Sequence, residues 1–508
     1  MRSQPIRLFA LSLCAALGIA TFIHHGQAQK PTHGVAPPVI PKTWDDEAMA
    51  SLEVPLAEAR YSPVHVSADY YYRIPVRPIY QSYPVYRPGQ EPPGYLDRLK
   101  QQEPEIAFDA SQLKTDEDWI KAGEIVFDAP FFYDGGVTVS DVRDPAWYEK
   151  TGVPIAKDGT IPALRYVIRK KGQIEIGNNS CGTCHTRVMP DGTVIKGAQG
   201  NFPFDRVVVF IMRSRSKLEG VRQGQRFLFA APWVRPDPQA RLDQMSVDEM
   251  ASIREAIPPG VLARHRASPY YPVQVPDLIG VRERRYLDRT GLQLHRSIAD
   301  LMRYAALNQG GDDLARYGDF IPAGEGFRKL PDPATQSRYS DEQLYALALY
   351  LYSLKPPPNP HKFDARASRG KQVFEREGCG ACHTPPLYTN NKLTPADGFT
   401  PPADHLKKYD LLPVSVGTDP DLTLRTRRGT GYYKVPSLAG VWYRGPFEHS
   451  GSVATLEDWF DPRRTRDDYV PTGFRGYGAK ARAVKGHPFG LKLSAADRTA
   501  LIAFLKTL

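Results

Sequence analysis

Two pentapeptides constrain this chain more than anything else in it: "CGTCH" at 181–185 and "CGACH" at 379–383 hold four of its five cysteines. The fifth, Cys14, lies in the N-terminal leader. In C-x-x-C-H two thiols three apart on a helical turn can form thioethers to both vinyl groups of one porphyrin, and the next residue then aims its imidazole at the iron. A thioredoxin-type dithiol has no use for the fixed histidine, and a four-cysteine zinc site leaves both histidines idle. The pattern therefore predicts two covalently bound c-type haems, on Cys181 and Cys184 and on Cys379 and Cys382, with His185 and His383 as proximal iron ligands.

The leader fits that chemistry. Arg2 and Arg7 precede an apolar run from Leu8 to Ile23 and a small-residue site at "GQA", a secretory layout with cleavage expected after Ala28. The run is short against the ~20 residues that span a bilayer, so the alternative of a retained anchor is the weaker one. The mature protein is expected to be periplasmic or secreted, without a stable membrane span. The formal charge of +10 drops by two when Arg2 and Arg7 leave. A mildly basic exported chain suits a small electron-donor or acceptor protein as partner, and no nucleic acid.

An internal repeat divides the 508 residues. "AGEIVF" (122–127) matches "RGKQVF" (369–374), "VPDLIGVRERRYLDRTG" (275–291) aligns without gaps to "VPSLAGVWYRGPFEHSG" (435–451), and "SDEQLYALALYLYSL" (340–354) matches "SAADRTALIAFLKTL" (494–508). The last pair read as amphipathic helices with serine N-caps at Ser340 and Ser494. Residues 128–180 have no counterpart, and their sequence suggests hairpin and loop. The expected organisation is a signal peptide (1–28), a Pro- and Tyr-rich arm wrapping the first domain (29–113), and two units at 114–358 and 359–508. "KPPPNPHK" joins the units, stiffened by its prolines. The fold class expected is mainly α: two cytochrome c-type haem domains in tandem, with loop and hairpin insertions and an extended N-terminal arm.

The second unit, "GKQVFEREGCGACHTPPLYTNNKLTP" with "YKVPSLAGVWYRGPFEHSGSVATLEDWFDP", resembles the bacterial di-haem cytochrome c peroxidase superfamily. That superfamily includes the enzyme maturing methylamine dehydrogenase and the di-haem rubber oxygenases. The resemblance implies two α-helical haem domains packed face to face, electron entry at the C-terminal haem and peroxide reduction at the N-terminal one. Its peroxidases use a methionine as sixth ligand of the C-terminal haem. This chain departs there, because its last methionine is Met302.

In the second unit His361 and His405 read as surface residues and His449, in "FEHSG", as structural. His487, in the "GHPFG" loop, is the preferred sixth ligand; its position resembles the distal-histidine loop of the rubber-oxygenase branch. For the first haem, Met189 stands too close to His185 to reach the far side. Met212 has strand-like surroundings, and Met245, Met250 and Met302 read as packing. His265 and His295 do not match the "GHPFG" position, so the iron is as readily open as ligated. Trp442 reads as packing, with a place beside the electron path as the alternative. Glu283 and Asp288 read as solvated charges, and neither a catalytic acid–base pair nor a calcium motif is assigned. The leading expectation is electron relay between two haems with peroxidase-like activity at the first. A purely electron-transferring cytochrome with two low-spin haems and an oxygenase of an organic substrate are the alternatives.

Overall fold

The computed structural model describes residues 38–133, 136–264, 267–324 and 329–508. The expected signal peptide, Cys14 and His265 lie outside the described residues. The repeat read from sequence is a repeat in space. In the first unit helix Asp116–Asp128 crosses helix Asp341–Ser353, and in the second Ala365–Arg376 crosses Ala495–Lys506. Each starts on a side-chain cap: Thr115, Ser340, Asp364 and Ser494 accept from the backbone N–H three residues on.

Both crossings turn on the repeat's glycine. A Cβ at Gly123 would overlap the carbonyl of Ala346 and sit 2.7 Å from Tyr350 Cβ; at Gly370 it would overlap the carbonyl of Ala500 and sit 2.7 Å from Phe504 Cβ. These partners occupy equivalent places in the two halves of the repeat, so the same close helix approach is built twice. The two apolar cores grow from these crossings. Phe127, Leu347 and Tyr350 belong to one, and Val373, Phe374, Leu501 and Phe504 to the other.

Residues 128–180 form the expected hairpin, Thr160–Lys170 with Gln173–Asn178. The expectation of loop around it is corrected, since Val139–Arg143 and Pro145–Thr151 are short helices capped by Thr138 and Asp144. The hairpin lies in a four-stranded antiparallel sheet ordered Ser82–Tyr86, Thr160–Lys170, Gln173–Asn178, Phe132–Tyr133. Its last residue, Asn178, runs almost directly into Cys181. The insertion thus delivers the first cysteine pentapeptide to its helix.

Within the arm, Ser82–Tyr86 joins that sheet, Pro63–Val64 pairs with Arg316–Tyr317, and the Trp44 indole donates to the Val66 carbonyl (2.8 Å) and stacks on Tyr71. It also reaches the second unit, where Ala57 N–H donates to the Gly429 carbonyl (3.0 Å). Helices Phe204–Arg215, Leu218–Phe229 and Val247–Glu255 close a separate apolar cluster that absorbs Met212, Met245 and Met250. Met212 is therefore helical rather than in strand-like surroundings. Among the described residues no helix is long and apolar enough to cross a membrane.

Candidate haem sites

The four described cysteines form no disulfide. Cys181–Cys184 is a single helical turn and Cys379–Ala381 a 3₁₀ turn, and each hands the chain to its histidine. The repeat segment then orients that histidine. His185 Nδ1 meets the Pro276 carbonyl at 3.0 Å; His383 Nδ1 meets the Tyr388 carbonyl at 3.0 Å and also lies against that of Pro436. Pro276 and Pro436 are the equivalent prolines of the two "VP" segments. A carbonyl can only accept, so Nδ1 carries the proton and Nε2 keeps its lone pair, the tautomer a metal-bound imidazole needs. Burial, helped by the Arg264 charge, holds His185 down to about 3, and burial also lowers His383, so both rings are neutral near pH 7.

In the second unit His383 opens on a cleft with a cavity volume of about 230 Å³. Its walls are largely apolar, with Phe374, Leu456, Phe460, Leu501 and Leu505 among them. His487 stands opposite His383, ring centres 6.2 Å apart. Two imidazoles on opposite faces of one metal, with metal–nitrogen bonds of about 2.0–2.1 Å, place their ring centres about 6.3 Å apart. The flanking rings of Trp459 and Phe489 contact His487, whose Nδ1 is buried and makes no hydrogen bond. Burial, then the neighbouring His383 and Arg464, push His487 down to about 3, again a neutral ring.

Sequence reasoning missed Arg464, the residue that holds the His487 loop. Fully buried, it donates to the carbonyls of Trp459 (2.8 Å), Val484 (2.7 Å), Gly486 (3.0 Å) and His487 (2.7 Å). Nothing in its neighbourhood signals this, because its partners are backbone atoms. A basic rim was also missed. Arg289, Lys434 and Arg444 face the cavity; burial and the adjacent arginines press Lys434 well below its ordinary value and Arg289 down to about 9.

The other histidines fall out as follows. His361 is exposed and near Trp442, as expected. His405 is corrected from surface to buried, because its Nδ1 bonds Tyr432 Oη at 2.9 Å. His449 is structural in placement: it stacks on Tyr433, abuts Glu448 Oε1 and lies 3.4 Å from Asp419 Oδ2. His295 has both ring nitrogens engaged, with the Arg284 carbonyl and Tyr352 Oη, and is not free to bind iron. Met189 packs beside Ile195 and Trp442, and Met302 is sealed in the first core. Asp288 is not a solvated charge; it is half-buried and bears on Lys434.

Thiol pair, adjoining neutral imidazole, opposed imidazole, apolar walls and basic rim together fit a covalently attached haem in the second unit. The first unit repeats the thiol pair and the oriented imidazole.

Comparison with known proteins gives limited similarity. No family model matches the chain. A cytochrome-c peroxidase from Denitromonas iodatirespirans is 31% identical over 114 residues, 18% of this chain and 30% of the relative. The chain thus matches under a third of that relative's length. A xenon-pressurised hydrazine synthase from Kuenenia stuttgartiensis covers 59% of the chain and 92% of its own at 16% identity, with a TM-score of 0.28. A MauG-like protein associated with microbial copper homeostasis covers 58% and 90% at 18% identity, with a TM-score of 0.29. Superpositions at that level carry no argument about fold or function. The short peroxidase match agrees loosely with the resemblance carried by the second unit.

Proposed function

We propose that the protein is an exported di-haem c-type cytochrome in which the second haem relays electrons and the first is the site of peroxidase-like chemistry. The observation that carries this reading is the facing pair His383 and His487, 6.2 Å apart across an apolar cavity. His383 and His487 would both hold the second iron, which would leave no place for an exogenous ligand and keep that centre to one-electron transfer. Imidazole in place of thioether also lowers its potential. A bound haem supplies the one-electron couple. The protein's own residues would attach it through Cys379 and Cys382, offer it the imidazoles of His383 and His487, and pack Trp459 and Phe489 against His487.

In the first unit Cys181, Cys184 and His185 take the same roles. His295 is withdrawn from the iron by its two hydrogen bonds, and Met212, Met245 and Met250 by their helical cluster. We assign peroxide chemistry to the first haem, with electrons entering from a small donor protein.

Electron paramagnetic resonance of the isolated protein, before and after peroxide, tests the reading. One low-spin bis-imidazole signal indifferent to peroxide, beside a second signal that peroxide alters, is expected. Two low-spin signals unmoved by peroxide in both oxidised and half-reduced protein would sink the enzymatic part and leave an electron carrier.

A further inference from the structure

Where the two repeat segments meet lies a smaller cleft, with a cavity volume of about 20 Å³. Arg284 and Arg289 of the first repeat segment and Lys434 and Arg444 of the second line it. The acids bearing on these cations are Asp277 and Asp288. Asp277 is already engaged, its Oδ2 accepting from Tyr443 Oη at 3.0 Å and lying 3.9 Å from Arg444 Nη1. Arg284 is held, donating to the Asp277 carbonyl and to that of Ile279 (2.7 Å), but the other three cations are poorly matched. Lys434 Nζ reaches the Tyr286 carbonyl at 3.4 Å, and Arg289 reaches those of Gln274 and Val275 at 3.4 Å each. Arg444 donates to the Ser437 carbonyl (2.7 Å), but its Nε is buried without a partner. Cations drawn out of water in excess over their acids are costly unless an anion joins them.

The larger cavity says where such an anion comes from. Arg289, Lys434, Arg444, Pro436 and Ser437 line both spaces, so the basic space opens on the wall of the cavity between His383 and His487. Lys485 is a further cation on that cavity's wall. A haem attached by its vinyl side at Cys379 and Cys382 turns its two carboxylates away from the thiols, and guanidinium forks match carboxylates in geometry as well as charge.

We propose that Arg289, Lys434 and Arg444 bind the two propionate carboxylates of the second haem, with Arg289 reaching across from the first unit. This rests on the haem reading above. The second haem is then held by both units, and the junction between them carries part of its charge environment. The cation excess favours the reduced, less positive haem, so the cluster raises the potential that the imidazole pair lowers.

The test uses the holoprotein, with Arg289→Gln and Lys434→Gln. Haem content by the pyridine haemochrome is read first: a chain without haem at the second site overturns the function proposed above, independently of the carboxylate site. Given two haems, both variants are expected to shift the propionate bending bands of the second haem in resonance Raman spectra and to lower its midpoint potential, leaving the first haem at the wild-type value. Unchanged bands in both variants would overturn the assignment. A potential of the wild-type second haem that responds to added inorganic phosphate, with a response lost in Lys434→Gln, would also overturn it by making the occupant a free anion. If the glutamine variants fail to mature, Arg289→Lys and Lys434→Arg keep the charge but alter hydrogen-bond reach, and the same bands decide.

Discussion

At the scale of single residues, the second site depends on how His487 is held. Its backbone sits at φ +47°, in the left-handed region a non-glycine residue adopts only under constraint, and its N–H donates to the Val416 carbonyl at 2.7 Å. The four carbonyl bonds of Arg464 supply the constraint. On the proposed reading, His487→Ala should replace a low-spin bis-imidazole signal of the second haem with a high-spin one that binds added imidazole. Arg464→Lys should do so in part, because an ammonium cannot span carbonyls from Trp459 to His487 as a guanidinium fork does. Freeze-quenched spectra of the two variants side by side separate ligand loss from loop loosening. Nearby, Asp419 gives a pH dependence. Burial alone would raise its carboxyl, but His449, the Asp421 N–H and Arg482 outweigh it and hold the group at about 2 against an ordinary 3.8. A lowered acid stabilises the fold above its unfolded value and stops doing so as pH falls through the folded one. Wild type should therefore lose stability between about pH 4 and pH 2. Asp419→Asn should be less stable at neutral pH and flatter across that window, as thermal melts over a pH series would show.

At the scale of elements, the helix crossings were legible because a repeat constrains two places at once. Matching Gly123 with Gly370, and the helix at 340–354 with that at 494–508, identified equivalent pieces before any contact was known. A Cβ at Gly370 would meet backbone of the crossing helix, which cannot move aside as a side chain can. Gly370→Ala should cost about 1–3 kcal/mol in chemical denaturation, the range for overpacking a tight interior. What sequence misread has physical causes. "RVVVFIMRSR" looks strand-like by its β-branched residues, yet forms helix Phe204–Arg215, whose buried positions serve two packed clusters, Val207 in one and Val209 and Met212 in the other. His405 looks exposed amid lysines and prolines, and only the long-range approach of Tyr432 buries it. Arg464 and the basic rim were unreadable for a related reason: their partners are carbonyls and charges from distant segments, which leave no local pattern.

At the scale of the whole molecule, the arm is a clasp. Its Glu53 forms an ion pair with Arg428 of the second unit, accepts from Gln293 Nε2 of the first (2.7 Å), and lies 3.3 Å from His65 Nε2. Val54 N–H donates to the Leu292 carbonyl (2.7 Å), Leu294 N–H to that of Leu52 (2.8 Å) and Ala57 N–H to that of Gly429 (3.0 Å). One stretch of the arm therefore bonds both units within five residues. Arg428 is wholly buried and the Glu53 side chain is 9% exposed, so neither charge can fall back on water. Removing one member of such a pair strands the other, which typically costs about 3–5 kcal/mol, more than the intact pair contributes. Glu53→Gln keeps the shape and removes the charge, which confines the loss to this junction. The two units each have their own core and their own helix crossing, so weakening the clasp should uncouple them before it unfolds either. Calorimetry of the holoprotein should show one unfolding transition in wild type and two in Glu53→Gln, the lower one shifted down. A single transition at the wild-type temperature would mean that the units are coupled elsewhere, with the shared basic junction at Arg289 and Lys434 as the next place to probe.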